Sequence, residues 1–440
     1  MPLPDLIEIV PLNQPVRARI TVPGSKSITN RALVLAALGG GETVLSGALW
    51  SEDTQVMVDC LQDLGFMVNV EPEPNEPCNR TITVYGKGGT VPRGGTDEQP
   101  LELFVGNAGT AGRFLTALVC LGEGCYRLQG IPRMHERPQA ALFGALRELG
   151  YRIDSPNDKL PVVVHGGGPR AGHCRVSIAE SSQFASALLL GAEVGGWKVE
   201  VQGENADEAP YVVMTARMAE VFPRAGGSFR IEPDASSGSY FLAAGSLLSL
   251  FEGGGPSETP GASSPSTGSS SVSVADWPQS GWQIDEDFPL VLPSATISRR
   301  TDLGDSIMTA IVLAPLFAGK RLFTDLGRLR LQECERVAAL RTELTKCGAK
   351  VSEEAEALTI WHSELHGAVI ETYNDHRMAM CFAIVGLKVP GIKIRNPACV
   401  KKTFPNFFQK LAAPPPAGLG AAVLEAGTGR RLELIELFAE

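Results

Sequence analysis

The sequence predicts an α/β protein assembled from six copies of one small unit, and two patterns carry that prediction. A short strand, a turn of small, polar or charged residues and an apolar helix recur, with turns starting at positions 25, 107, 180, 234, 304 and 373. Three second helices end in kindred phrases, 61-LQDLGFMV-68, 146-LRELGYRI-153 and 344-LTKCGAKV-351. Their Gly65, Gly150 and Gly348 suit the left-handed position just past a helix. Intervals of 82, 73, 54, 70 and 69 residues between turns are too long for a solenoid and fit a repeated α/β unit.

The first helix is expected to begin near Ser25 to Ser27. In 23-PGSKSITNR-31, Ile28, Ala32 and Leu35 recur at helical spacing, and Gly39, Gly40 and Gly41 close the run. Lys26 and Ser27 then stand at an open N-terminus, where unpaired N–H groups and the helix dipole attract anions. Arg31 shares a face with Ser27. Strand 101-LELFV-105 runs into 106-GNAGTAGRFLTALVCLG-122, 175-RVSIA-179 into 180-ESSQFASALLLGAEVG-195, and 229-FRIEP-233 into 234-DASSGSYFLAAGSLLSL-250. The last two copies are 304-GDSIMTAIVLAPLFAG-319 and 373-YNDHRMAMCFAIVGL-387.

Two stretches break the regularity. The fourth and fifth units are each expected to lack about one hairpin, and a Gly/Ser/Pro tract is expected to form a flexible loop over 252–275. After Leu411 the chain reads as a Pro-rich linker followed by one weak terminal helix or strand.

Composition bounds the function. The 440 residues, 44% apolar and 20% charged, give room for two or three domains with ample core. A net charge of −10 excludes a nucleic-acid binder that works by bulk charge, so an anion site must be a local concentration of cations. Nine Cys without a C-x-x-C pair indicate reduced thiols. The N-terminal MPLPDLIEIV reads as neither a secretory signal nor an Arg-rich transit peptide, and no apolar run approaches membrane-spanning length. A cytoplasmic protein without a membrane partner is therefore expected.

Singly, the polar residues have plain readings. Ser181 and Ser182 suit a helix cap, Asp375 a capping carboxylate, and Glu333 with Arg336 a surface ion pair at i,i+3 spacing. His362 and His366 lack a third ligand, and 106-GNAGTAG-112 is not G-x-G-x-x-G, so neither a metal nor a dinucleotide is expected. Collectively, Lys26, Arg31, Arg113, Arg137, Arg336, Arg377 and Lys402, with the acids Asp305, Glu333 and Asp375, lie at or near helix starts. If those helix ends converge, they suit an anionic substrate and proton transfer.

The phrases 23-PGSKSITNRALVLAAL-38, 106-GNAGTAGRF-114, 136-ERP-138, 181-SSQF-184, 234-DASSGSYFLAA-244, 333-ECER-336, 372-TYNDHRMAMCF-382 and 399-CVKKTFPNFF-408 occur in one order. In them the chain resembles the 5-enolpyruvylshikimate-3-phosphate (EPSP) synthase family, and most closely its fungal form. The resemblance implies two domains, each of three βαβαββ units in an inside-out α/β barrel, closing on substrates between them, with two units truncated here. It sets the domains at 25–231 and at 1–24 plus 232–440, with a tail foreign to the family after about 412.

The implied chemistry moves the enolpyruvyl group of phosphoenolpyruvate to the 5-hydroxyl of shikimate 3-phosphate without metal or organic cofactor. By the same resemblance, Lys26, Arg137, Arg336, Arg377 and Lys402 hold the phosphate and carboxylate of phosphoenolpyruvate, with Asn107, Gly109 and Gln183 as smaller contacts. Asp305 and Glu333 serve proton transfer, with Lys26 and His376 close by, and Ser27, Arg31, Ser181, Ser182 and Tyr211 face the shikimate. Three positions depart from the family on the shikimate-phosphate side. Glu208 replaces a Ser, Gln332 replaces a Lys and Arg328 replaces an Asn. A different small-acid acceptor, or a catalytically silent binding protein, stays open on that ground.

Overall fold

The computed structural model describes residues 3–203, 209–250 and 270–439. The chain divides into two compact bodies. The first body is Pro23–Glu232 with Ser280–Gln283, and the second is Met1–Val22, Pro233–Gln279 and Ile284–Glu440.

One sheet plan recurs in both bodies. In the first repeat, strand Gly227–Arg230 lies parallel to Gly40–Leu49, which pairs antiparallel with Asn79–Lys87 and that in turn with Met67–Pro72. The second repeat repeats the order with Leu101–Phe104, Glu123–Gln129, Val162–Gly167 and Arg152–Asp154. The fifth does so with Thr296–Ser298, Lys320–Thr324, Ala357–Trp361 and Lys350–Glu354. In the sixth, Val369–Ile370 and Lys393–Arg395 form the parallel pair, and the hairpin is replaced by Leu6–Ile9 and Val423–Glu425.

Two expectations are corrected here. The fifth repeat has all four strands. Among the described residues, the short sheets are those of the third repeat, Gly172–Ser177 with Trp197–Gln202, and the fourth, Arg17–Ile20 with Ser271–Val274. Each keeps only the parallel pair. Counting residues between turns misassigned the gap because repeats borrow strands from distant sequence. The strand Ser271–Val274 also shortens the expected 252–275 loop, whose residues 252–269 lie outside the described residues.

The terminal stretch holds the short strand expected there, Val423–Glu425. Val423–Glu425 closes the sixth sheet, and Leu419, Ala421, Val423, Leu432, Leu437 and Ala439 are buried in the core of the second body.

Local chemistry explains the elements. Helices Glu52–Asp63, Ala140–Glu148 and Arg336–Lys346 all end at a positive-φ glycine: Gly65, Gly150 and Gly348. Each glycine N–H donates to the carbonyl three residues back and the next N–H to the one five back, the paired closure that ties off two orphan carbonyls. Helices Lys26–Leu38, Gly109–Cys120 and His376–Gly386 are buried nearly all round, with only Lys26 and Ser27, in the first turn of the first, partly exposed. Among the described residues no helix is long and apolar enough to cross a membrane.

Candidate functional site

In the first body, functional side chains gather at helix starts. Ser25 is the N-cap residue of Lys26–Leu38, and its N–H donates to the Glu232 carbonyl at 2.8 Å. Lys26 Nζ pairs with Asp53 Oδ2 at 3.0 Å. Asp53 lies in the first turn of Glu52–Asp63, whose start is held by the Ser51 N–H donating to Thr54 Oγ1 at 3.0 Å. Sequence reasoning missed Asp53; the 51-SEDT-54 cap was its only signal.

Arg31 is 2% exposed. It donates from Nε to Thr215 Oγ1 at 2.7 Å, from Nη2 to Ser186 Oγ at 3.0 Å and from Nη1 to the Ser27 carbonyl at 2.8 Å. Its guanidinium also reaches the Tyr211 carbonyl at 3.4 Å and stands 5.3 Å from the Phe114 ring centre. Arg31 therefore ties four helices of this body together, Lys26–Leu38, Gly109–Cys120, Ser182–Gly195 and Ala209–Val221.

Asn107, Gly109, Arg113, Arg137, Ser181 and Gln183 form a second group. Arg137 Nη1 donates to the Asn107 carbonyl at 3.3 Å. Its guanidinium covers Gly109 so closely that a Cβ there would stand 2.5 Å from Nη1. Asn107 Oδ1 is buried without a hydrogen-bond partner among the described residues, an acceptor available to a hydroxyl or N–H of a ligand. Gln183 accepts from Arg113 Nη1 at 2.5 Å and donates to Thr110 Oγ1 at 3.1 Å, which fixes its amide orientation. Ser181 caps Ser182–Gly195 by accepting from the Gln183 N–H at 3.2 Å, and Ser182 is buried in the first turn.

The second body holds a denser ionic cluster. Arg336 donates from Nε to Asp375 Oδ2 at 2.7 Å, from Nη2 to Asp375 Oδ1 at 3.2 Å and from Nη2 to Glu333 Oε2 at 2.8 Å. Glu333 Oε1 accepts from Lys402 Nζ at 3.1 Å. Asp305 Oδ2 pairs with Arg377 Nη2 at 2.9 Å, while Arg336 and Arg299 each approach Oδ1 to 3.7 Å. Arg377 also reaches the Tyr240 hydroxyl at 3.3 Å. Four cations thus face three carboxylates, with Asp234 and Asp285 also acting on Arg377.

This environment sets protonation. Burial pushes the Asp305 carboxyl up, but Arg377, Arg336 and Arg299 outweigh it and hold the group well below the usual carboxylate range. Burial works against the Arg336 charge, and Asp375, Glu333 and Asp305 more than restore it. Asp375 accepts from the Arg377 N–H at 2.9 Å as the N-cap of His376–Gly386, so it is a cap and an ion-pair partner together. His376 is buried beside it, with Nδ1 3.7 Å from Asp375 Oδ1.

The surface-pair reading of Glu333 and Arg336 fails, because the guanidinium is sealed from water. Gln332 turns into this cluster: its Nε2 donates to Asp305 Oδ1 at 3.4 Å, and its Oε1 accepts from Arg336 Nη1. Glu208 lies outside the described residues. Sequence reasoning also missed Asp285. Its Oδ1 accepts from the Gly304 N–H at 2.7 Å and the Ser306 hydroxyl at 2.5 Å, and its Oδ2 from the Ser236 hydroxyl, fixing the turn that presents Asp305.

Comparison with known proteins finds relatives along nearly the whole chain. Residues 11–411 match the family described as EPSP synthase (3-phosphoshikimate 1-carboxyvinyltransferase). A 3-phosphoshikimate 1-carboxyvinyltransferase of Trichormus variabilis is 37% identical, across 92% of this chain and 98% of its own length. One from Opitutus terrae is 38% identical, across 94% and 98%. The fold matches an EPSP synthase from Acinetobacter baumannii with a TM-score of 0.66 at 20% identity, covering 96% of this chain and 100% of that one. It also matches the enolpyruvyl transferase NikO from Streptomyces tendae with a TM-score of 0.64 at 14% identity, covering 98% and 99%.

Proposed function

The chain belongs to the EPSP synthase family, and on that footing we propose that it transfers the enolpyruvyl group of phosphoenolpyruvate to the 5-hydroxyl of shikimate 3-phosphate, a step of the shikimate pathway. The two bodies are the two enolpyruvyl transferase domains of this proposal, and the cytoplasm is its proposed location. The observation that carries the reading is the buried cluster of Arg299, Arg336, Arg377 and Lys402 with Asp305, Glu333 and Asp375. Such an array is costly to bury unless a function retains it, and its cations suit the phosphate and carboxylate of a small dianion.

In the proposed reaction the C3 atom of phosphoenolpyruvate gains a proton, the acceptor oxygen bonds to C2 and that hydroxyl loses its proton. The ketal phosphate then returns a C3 proton and expels phosphate. Lys26, Arg137, Arg336, Arg377 and Lys402 bind the two anionic groups, helped by Asn107, Gly109 and Gln183. Asp305, held ionised by its arginines, takes a proton. Glu333, hydrogen-bonded to both Lys402 and Arg336, exchanges the other. Lys26 and His376, the latter buried beside Asp375, stand close to the proton transfer, and Ser27, Arg31, Ser181, Ser182 and Tyr211 serve the acceptor side.

Phosphate release by the purified protein, with both substrates present, tests this. Activity lost in Glu333→Gln supports it, and no release from the parent chain overturns it. A second reading, another small-acid acceptor, is favoured by Gln332 standing against Asp305 and Arg336 where the family has Lys. Tight calorimetric binding of shikimate 3-phosphate would remove it.

A further inference from the structure

A cluster on the sheet of the second repeat is used by none of this chemistry. Cys125, on Glu123–Gln129, lies directly across from His165, on Val162–Gly167. Two backbone hydrogen bonds between Gly95 and Cys125, at 3.1 and 3.0 Å, hold the preceding loop so that Asp97 lands over this pair. Cys125 Sγ is 2.7 Å from Asp97 Oδ1 and 3.1 Å from His165 Nδ1, and those two atoms are 3.2 Å apart. A thiol, an imidazole and a carboxylate thus meet in one small triangle. On the next strand, Asp154 Oδ2 lies 2.9 Å from His165 Nε2, and Arg152 pairs with Asp154 at 2.7 Å.

We infer that Asp97, Cys125 and His165 bind a divalent cation of borderline softness, Zn²⁺ by preference, with Asp154 as the residue that orients the imidazole. The donor set of one sulfur, one nitrogen and one oxygen selects zinc over the hard cations, which prefer oxygen alone. Asp154 occupies the far ring nitrogen and leaves Nδ1 aimed at the triangle, the support that metal-bound histidines regularly have. Bonds of about 2.0–2.3 Å in a tetrahedron separate donors by roughly 3.3–3.6 Å, so the Cys125–Asp97 edge must open by about 0.9 Å and the other two by about half an ångström or less. The Asp97 side chain is 69% exposed and free to make that adjustment, and the same exposure admits water as a fourth ligand.

Without a cation, the Cys125 thiol donates its proton to Asp97. Cation binding forms the metal–sulfur bond and releases that proton to solvent. The order Cys125, His165, Asp154 also outlines a nucleophile triad, but a buried thiol held protonated by a second carboxylate is poorly suited to attack. The cation's effect is structural: it fastens the loop bearing Asp97 to two strands of the sheet.

The test uses the full-length chain, stripped with chelator and titrated with Co²⁺ and then Zn²⁺. One equivalent of Co²⁺ giving a thiolate charge-transfer band, absent in Cys125→Ser and displaced by Zn²⁺, is the expected result. Zn²⁺ should raise the melting temperature of the parent protein and leave that of Cys125→Ser unmoved. Asp97→Asn, at an exposed position where the fold is safe, should weaken Zn²⁺ binding by about tenfold or more with phosphate release unchanged. Three results would overturn the proposal: no stoichiometric binding, a charge-transfer band that survives Cys125→Ser, or alkylation of Cys125 by iodoacetamide at a rate indifferent to Zn²⁺.

Discussion

Arg336 and Asp375 face each other through two hydrogen bonds, at 2.7 and 3.2 Å, with side chains 1% and 0% exposed. The same carboxylate caps the helix that carries Arg377, so one group sets the direction of two arginines. Asp375→Asn should cost about 3–5 kcal/mol, the range for uncovering a buried charge, lessened because Glu333 still holds Arg336. Urea unfolding measures the loss. A variant as stable as the parent would show the pair to be dispensable for folding.

Gly109→Ala separates binding from stability. The added Cβ would stand 2.5 Å from Arg137 Nη1, so the guanidinium must swing away. Alanine favours a helix by up to about 1 kcal/mol over glycine, so the melting temperature should hold or rise. Loss of one charged hydrogen bond, about 1.5–3 kcal/mol, should raise the KM for phosphoenolpyruvate roughly tenfold to hundredfold. Steady-state kinetics beside a thermal melt checks both halves.

Asp305 gives a pH signature. Its native carboxyl titrates below its unfolded value of about 3.9, because Arg377, Arg336 and Arg299 overcome the burial that pushes it up. Its stabilisation is therefore complete above about pH 4 and is lost as pH falls through the depressed native value. Urea midpoints measured from pH 6 downwards should drop more steeply for the parent than for Asp305→Asn.

Asp285 has the opposite sign. Burial raises its carboxyl despite hydrogen bonds from Ser236 and Ser306, so its contribution weakens as pH climbs from the unfolded towards the native value. Asp285→Asn turns an amide donor towards N–H and hydroxyl donors and should cost about 1–3 kcal/mol. It should also lower kcat more than it alters KM, since the Gly304 N–H that Asp285 holds lies one residue from Asp305. Denaturation and kinetics on one preparation read both effects.

Ending the chain at Ala412 should abolish folding. The cut removes Val423–Glu425 from the sixth sheet, together with buried Leu419, Val423, Leu432 and Leu437. At about 1.5–3 kcal/mol per large side chain the loss is roughly 6–12 kcal/mol, comparable to the whole stability of a domain, about 5–15 kcal/mol. Circular dichroism and solubility of the truncated protein decide it.

Local signals were legible wherever the physics is local. The three glycine stops, the Ser181 cap and the start of the first helix at Lys26 follow from backbone geometry and dipoles acting over four or five residues. The strand partners did not, because Leu6–Ile9 pairs with Val423–Glu425, and Gly227–Arg230 joins a sheet begun at Gly40. Asp53, Asp285 and Arg299 escaped for the same reason: each earns its place through a partner distant in sequence or in another element.

The sequence alone therefore determined the repeat, the helix starts and the residue types able to handle a small anion, since spacing and side-chain chemistry are written along the chain. Only the tertiary structure decided which of those charges are buried, which carboxylate faces which arginine and what the terminal segment is for. Charge, burial and strand pairing depend on neighbours that the chain supplies only once it has folded.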